Sequence, residues 1–225
     1  MARMRFPAAV LWDMDGTLID SEPSWIRSQL RLVAEHDGVW TWENGLGLIG
    51  ADMEATAQAM HDAGVLLGDD EIIDRLTREV CADLTDLIEW RPGAYELVGE
   101  LAALEIPQAI VTTSPRDMAL IIAAKLPVDA IRLIVAGEDV AHGKPHPDPY
   151  QTAARRLGVD AARCVAIEDS PTGLASAVAA GTIAIAVPHD AAIPDDPRYD
   201  ILSTLSGLTA KDLGLLASTR GTTSG

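Results

Sequence analysis

Basic side chains are scarce in this chain. Its 225 residues carry 17 Lys and Arg against 34 Asp and Glu, a formal net charge of −17. A nucleic-acid binder needs a positive face that displaces counterions from phosphate, so that class is set aside. The same deficit gives an anionic small molecule no long-range attraction. A phosphate site here must build its positive potential locally, from a metal, a lysine and backbone N–H groups. Cysteine is nearly absent as well. Cys81 and Cys164 follow no metal-ligand spacing and lie in apolar patterns, so they read as buried free thiols of a reducing cytosol. No apolar run approaches the roughly 18–20 residues that a membrane-spanning helix needs. The first apolar run, at 8–12, is too short for a secretory signal. The expectation is a cytoplasmic protein with no nucleic-acid or membrane partner, a monomer or weak dimer. The closing STRGTTSG, 218–225, reads as a disordered tail.

Apolar side chain is plentiful enough for a core, at 48% of the residues. It is distributed in short runs at 8–12, 107–112, 131–136, 164–168 and 182–187, each of strand length and apolar on both faces. Helix-patterned segments at 93–104, 115–126, 148–158 and 171–180 separate the later runs. This alternation predicts an α/β fold, a Rossmann-like parallel sheet with helices on both faces. Ser114-Pro115 and Ser170-Pro171 each read as an N-cap followed by the first helical residue. Gly158 and Gly181 stand where helices should end. One connection is too long for such a sheet. Between Asp20 and Trp90 no buried strand is legible, but Trp25, Ile26, Gln29, Leu30 and Val33 share a helical face, as do Ile72, Ile73, Leu76 and Val80. The predicted division is a core of 1–20 and 91–217 with an inserted helical domain, 21–90, over the strand ends.

Four polar clusters stand out. Asp13-Met14-Asp15-Gly16-Thr17-Leu18 follows the first strand. Carboxylates at i and i+2 of an extended chain point to one side and repel. A divalent cation relieves that repulsion and keeps Asp13 ionised; two solvated loop acids would leave the same pattern. Val111-Thr112-Thr113-Ser114-Pro115 ends the second strand. The Thr112 hydroxyl and the amides of Thr113 and Ser114 suit phosphate oxygens, though plain N-capping by Ser114 also accounts for the pattern. Gly143-Lys144-Pro145-His146-Pro147-Asp148-Pro149 reads as a stiff, extended segment that holds Lys144 at a fixed height. His142 and His146 are four apart, but these prolines forbid the helix that would pair them. Ile167-Glu168-Asp169-Ser170-Pro171-Thr172-Gly173 puts two acids at a strand end, a hard-cation donor set or acids at a helix start.

Taken in order, DMDGTL, VTTS, GKPHPDPY and IEDSPTG resemble the four motifs of the haloacid dehalogenase-like superfamily. The chain looks like the subgroup of phosphoglycolate phosphatases, sugar-phosphate phosphatases and β-phosphoglucomutases. The resemblance implies a helical cap inserted after the first strand. It implies Asp13 as nucleophile, Asp15 as general acid and base, and Thr112, Thr113 and Lys144 as phosphate ligands. It also implies Mg2+ held by Asp13, the Asp15 carbonyl and Asp169, assisted by Glu168. The substrate expected is a small phosphate monoester, of a sugar, polyol or similar metabolite. Within the superfamily, Asp15 argues against dehalogenation, and the absence of Lys from 21–91 argues against phosphonate cleavage through a Schiff base. A phosphomutase of the β-phosphoglucomutase type is the alternative. Trp25 and Met53 stand where those mutases carry His and Arg, and the stretch Asp20–Trp25 looks like sugar- and hexitol-phosphate phosphatases. Specificity is expected from the helical insert, with Glu22, Trp25 and Arg75 as candidates.

Overall fold

A computed structural model of the chain describes residues 6–49, 51 and 53–220. Its contacts divide it into two units, Met1–Asp20 with Trp90–Gly225, and Ser21–Glu89. Trp90 falls on the first side of the expected boundary. It forms an antiparallel bridge with Ile19, and the next residue, Arg91, donates its N–H to the Leu18 carbonyl at 2.9 Å.

The first unit is built on six parallel strands: β1 (Ala9–Trp12), β2 (Gln108–Val111), β3 (Leu133–Val135), β4 (Cys164–Glu168), β5 (Ile183–Ala186) and β6 (Tyr199–Ile201). Their spatial order is β3-β2-β1-β4-β5-β6, so the winding reverses at β1. In such a sheet ligands gather at the carboxyl ends beside the reversal, where β1 delivers Asp13 and β4 delivers Glu168. Alternation along β1 sends side chains to opposite faces. Ala9 and Leu11 enter a core shared with the later helices. Trp12, fully buried, donates its indole N–H to Gln108 Oε1 at 2.9 Å, and Gln108 Nε2 donates to the Val98 carbonyl at 3.0 Å.

The second unit holds α1 (Glu22–Glu35), α2 (Trp42–Leu46), α3 (Met53–Asp62) and α4 (Asp69–Asp86). Leu32, Val33, Ala57, Met60, Ile72 and Leu76 form its core. In α1 it is Leu32, rather than the half-buried Leu30, that joins Ile26 and Val33 inside. Arg31 to Glu79 and Arg75 to Glu35, both 2.7 Å, tie α1 to α4 along a solvated seam. Exposed pairs of this kind contribute about 0–1 kcal/mol each, so apolar burial does most of the holding.

The remaining helices are α5 (Ala94–Ala103), which carries Val98, α6 (Arg116–Lys125), α7 (Asp148–Leu157), α8 (Pro171–Ala179) and α9 (Ala210–Arg220). Ser170 caps α8 as expected, its Oγ accepting from the Gly173 N–H at 3.1 Å, and Gly158 ends α7 with φ of 73°. Ser114 does not cap α6. Pro115 takes the cap position in extended backbone, and the helix begins at Arg116. The described part of the expected tail, 218–220, is helical within α9, while 221–225 lie outside the described residues. Cys164 is buried and its thiol pushed up to about 12 by that burial, whereas Cys81 is half-buried. Among the described residues no helix is long and apolar enough to cross a membrane.

Candidate active site

Beyond β1 the backbone stays extended for one more residue, because the Asp13 N–H donates to the Ile167 carbonyl of β4 at 3.0 Å. Met14 turns fully inward, so Asp13 and Asp15 are left on the opposite side. Lys144 then closes the site. Its Nζ lies 2.6 Å from Asp13 Oδ1 and 2.7 Å from Glu168 Oε1, with both carboxylates and the ammonium buried. Tyr150, in the first turn of α7, donates its hydroxyl to the same Glu168 Oε1 at 2.5 Å, and its ring faces the ammonium at 5.4 Å. Burial pulls the Lys144 ammonium down, but Asp13 and Glu168 outweigh it, so the net shift is upward. Burial and the charge of Glu168 hold the Tyr150 hydroxyl protonated well above its ordinary range.

The acids are less well matched. Asp13, Glu168 and Asp169 bring one carboxylate oxygen each within 4.8 Å of the others. Burial, then the Asp13 charge, pushes Glu168 up to about 7 and Asp169 up to about 8. Three carboxylates and one ammonium leave two negative charges over, the amount a dication cancels. Asp13 Oδ2 is buried and has no hydrogen-bond partner among the described residues, an arrangement that costs free energy unless something occupies it. All the donors are oxygen, which suits a hard divalent ion. The group therefore fits a metal site. The Asp15 carboxylate stands outside it: Asp15 Oδ2 accepts a hydrogen bond from Ser114 Oγ at 2.7 Å.

That bond explains why Ser114 is not a cap. Its hydroxyl is spent across to the loop after β1, and its N–H is donated to Thr112 Oγ1 at 3.0 Å. The Ser114 amide expected to meet a phosphate oxygen is thus engaged within its own loop. Thr112 is buried at the end of β2, and the Thr113 side chain is exposed. The Lys144 segment is not extended either. Gly143 C=O accepts the His146 N–H at 3.0 Å, and the chain folds into a four-residue turn whose Lys144–Pro145 peptide is cis.

Two glycines make room for the acids. Gly16 has φ of 82°, a region L side chains avoid, and a Cβ there would overlap the Asp169 carboxylate. At Gly173 a Cβ would overlap the Glu168 carboxylate. Gly173→Ala should therefore destabilise the chain by about 1–3 kcal/mol through overpacking. Urea unfolding checks this; an unchanged midpoint would mean that Glu168 has free space to move into.

Glu22, Trp25 and Arg75 belong to the helical unit. Glu22 lies in the first turn of α1, favourably placed for the helix dipole. Trp25 packs against that unit's core. Arg75 is bound to Glu35 and to Glu79, at 2.7 and 3.1 Å, so its charge is already matched by two acids.

Residues 10–187 match the sequence model of the haloacid dehalogenase-like hydrolases. The chain belongs to this family. Among its relatives, hexitol phosphatase B of Escherichia coli is 30% identical over 221 residues, covering 95% of this chain and 99% of that protein. Hexitol phosphatase A of the same organism is 34% identical over 202 residues, covering 88% and 92%. A crystal structure of CbbY from Rhodobacter sphaeroides with xylulose-(1,5)bisphosphate superposes with a TM-score of 0.79 at 26% identity, over 92% of this chain and 99% of that one. This haloacid dehalogenase-like hydrolase is an enzyme of the phosphatase subgroup, a phosphoric monoester hydrolase, on a Rossmann-like core.

Three features of this hydrolase escaped its sequence. Tyr150 ends the GKPHPDPY motif, and only the helix start at Asp148 turns its hydroxyl to Glu168. Ser114 reads as a helix cap until β1 and β2 are paired. His142 and His146 do meet, with ring centroids 4.6 Å apart, because the Gly143–His146 turn does what a helix could not.

Proposed function

We propose that this enzyme hydrolyses a small sugar or polyol phosphate with Mg2+, through a phosphoryl group carried on Asp13. One observation supports this above the others. Asp13 has one oxygen held by Lys144 and the other buried without a partner among the described residues, beside two further acids. A carboxylate so placed is aimed by the ammonium and keeps one oxygen available to attack. Asp13 attacks phosphorus in line, and the bond to the ester oxygen breaks. Asp15 gives its proton to that leaving oxygen, then takes one from the water that cleaves the acyl phosphate, releasing inorganic phosphate and restoring Asp13. Ser114 aims the Asp15 carboxylate, while Thr112, the Thr113 amide and Lys144 hold the phosphoryl oxygens. Asp13, Asp169 and the Asp15 carbonyl would hold Mg2+, with Glu168 assisting; the ion supplies charge neutralisation to the phosphoryl group. The helical insert carries specificity through Glu22 and Trp25, while the Arg75 charge is already matched by Glu35 and Glu79.

The hexitol phosphatase relatives and the stretch Asp20–Trp25 support a polyol or sugar phosphate as substrate. A panel of hexitol, hexose, glycerol and glycolate phosphates, with Mg2+ and with EDTA, tests the reading by released phosphate. Release from a hexitol or hexose ester that EDTA abolishes is the expected result. Isomerisation of a hexose phosphate without net release would replace it by the mutase reading.

The metal also has a pH signature. The unfolded carboxyls titrate near 4.5 and 3.8, whereas in the metal-free fold Glu168 and Asp169 are raised to about 7 and 8. The folded chain then holds protons that the unfolded chain has released. Its stability falls as pH rises between those limits, and a dication, which favours the charged forms, opposes the fall. Mg2+ should raise the melting temperature little near about pH 5 and clearly near about pH 8.5. A shift of equal size at both pH values would count against these acids as its ligands.

A further inference from the structure

A second set of donors stands in the loop that carries Lys144. The turn closed by Gly143 and His146 lays the His142 and His146 rings side by side, 4.6 Å between centroids and 32° between planes. The Asp148 carboxylate stands with them. It is oriented by the Ala141 N–H, which donates to Oδ2 at 3.2 Å, and by Thr152 Oγ1, which donates to Oδ1 at 3.3 Å; each oxygen keeps a lone pair to spare. One ligand atom from each of the three residues lies within 4.8 Å of the others. Both histidines are exposed and Asp148 half-buried, so an ion reaches them from solvent.

We propose that His142, His146 and Asp148 bind a late first-row dication of the Zn2+ type, at a site separate from the acids around Asp13. The chemistry of the donors separates the two. Asp13, Glu168 and Asp169 offer only oxygen, which suits Mg2+, whereas two imidazoles and one carboxylate suit Zn2+, Ni2+ or Cu2+ and leave a position for water. The net charge of −17 favours any cation, and the nearest lysine in sequence, Lys144, has its ammonium matched by two carboxylates. One contact must yield. His146 Nδ1 accepts the Asp148 N–H at 3.2 Å, the long end of the hydrogen-bond range, and ligation by His146 replaces it. The ion would join residues on both sides of Lys144, and so fix the turn that presents the ammonium to Asp13.

The proposal does not depend on the phosphatase reading, and its test needs no turnover. The untagged full chain is stripped with EDTA, dialysed into excess Mg2+ to occupy the oxygen donors, and titrated with Zn2+ by calorimetry. One equivalent should bind. His142→Ala and His146→Ala should each weaken it at least about tenfold, and Asp169→Asn should leave it intact. Co2+ in place of Zn2+ should give visible absorption bands that His142→Ala removes. No uptake by the wild-type chain would overturn the proposal. So would unchanged binding in His142→Ala, or binding lost only in Asp169→Asn, which would place the zinc among the acids.

Discussion

Asp13→Asn is expected to release phosphate at least about 10⁴-fold more slowly than the wild-type chain, with its fold intact. The amide is the same size as the carboxylate but cannot attack phosphorus or carry the phosphoryl group. Its removal does not strand a charge, because Lys144 keeps Glu168 at 2.7 Å. It also removes one of the charges that push Glu168 and Asp169 up, so the metal-free variant should melt no lower than the parent. Phosphate release and circular dichroism melting, measured on one preparation, separate lost chemistry from lost folding. Activity within about tenfold of wild type would move the nucleophile elsewhere.

Lys144→Met should cost both chemistry and stability. The side chain is of similar size, so the change removes a buried charge rather than volume. Asp13, Glu168 and Asp169 would then face one another without an ammonium, and removal of one partner from a buried ion pair typically costs about 3–5 kcal/mol. The sign follows from the raised Lys144 pKa. A cation stabilised in the fold contributes fully below its unfolded value of 10.5, so the whole loss is visible at neutral pH. It should shrink in acid, where Glu168 and Asp169 take up protons and the repulsion fades. Urea unfolding of the metal-free chain across pH reads this, and turnover with Mg2+ should fall by about 10²–10³-fold, the usual cost of losing one preorganised electrostatic contact. Lys144→Arg should not restore either, because a planar fork cannot occupy the compact position between two carboxylates and the Tyr150 ring.

The sequence revealed most where burial was two-sided. The run at 164–168 coincides with β4 because every residue of it is buried, and the helix starts at Asp148 and Pro171 follow from their prolines. The sixth strand was not legible: Tyr199 is buried, Asp200 half-buried and Ile201 exposed, so the edge strand has no two-sided apolar run to announce it. Between Asp20 and Trp90 the sequence shows no buried strand, and the described residues there form α1 to α4. Within the site, motif order was enough to expect Asp13, Lys144 and Glu168 together. Contacts between loops were not. Ser114 and Asp15 are 99 positions apart, and only the pairing of β1 with β2 brings them within a hydrogen bond. The meeting of His142 and His146 was not legible, because a spacing of four pairs residues through a helix, whereas here a turn at Gly143 brings them together.

Alanine makes up half of the sheet face beneath α7 and α8 (Ala9, Ala109, Ala166, Ala184 and Ala186, beside Leu11, Val111, Val135, Cys164 and Tyr199), and Ala153, Ala154 and Ala177 meet it from the helices. Side chains this short set the helices low on the strands, with little slack to absorb an added methylene. Tyr150 rides on the first turn of α7, so the thickness of this layer acts as a shim beneath the tyrosine and the Glu168 it touches. A bulkier residue in this layer should shift the tyrosine relative to Glu168 and so disturb the position of the ammonium.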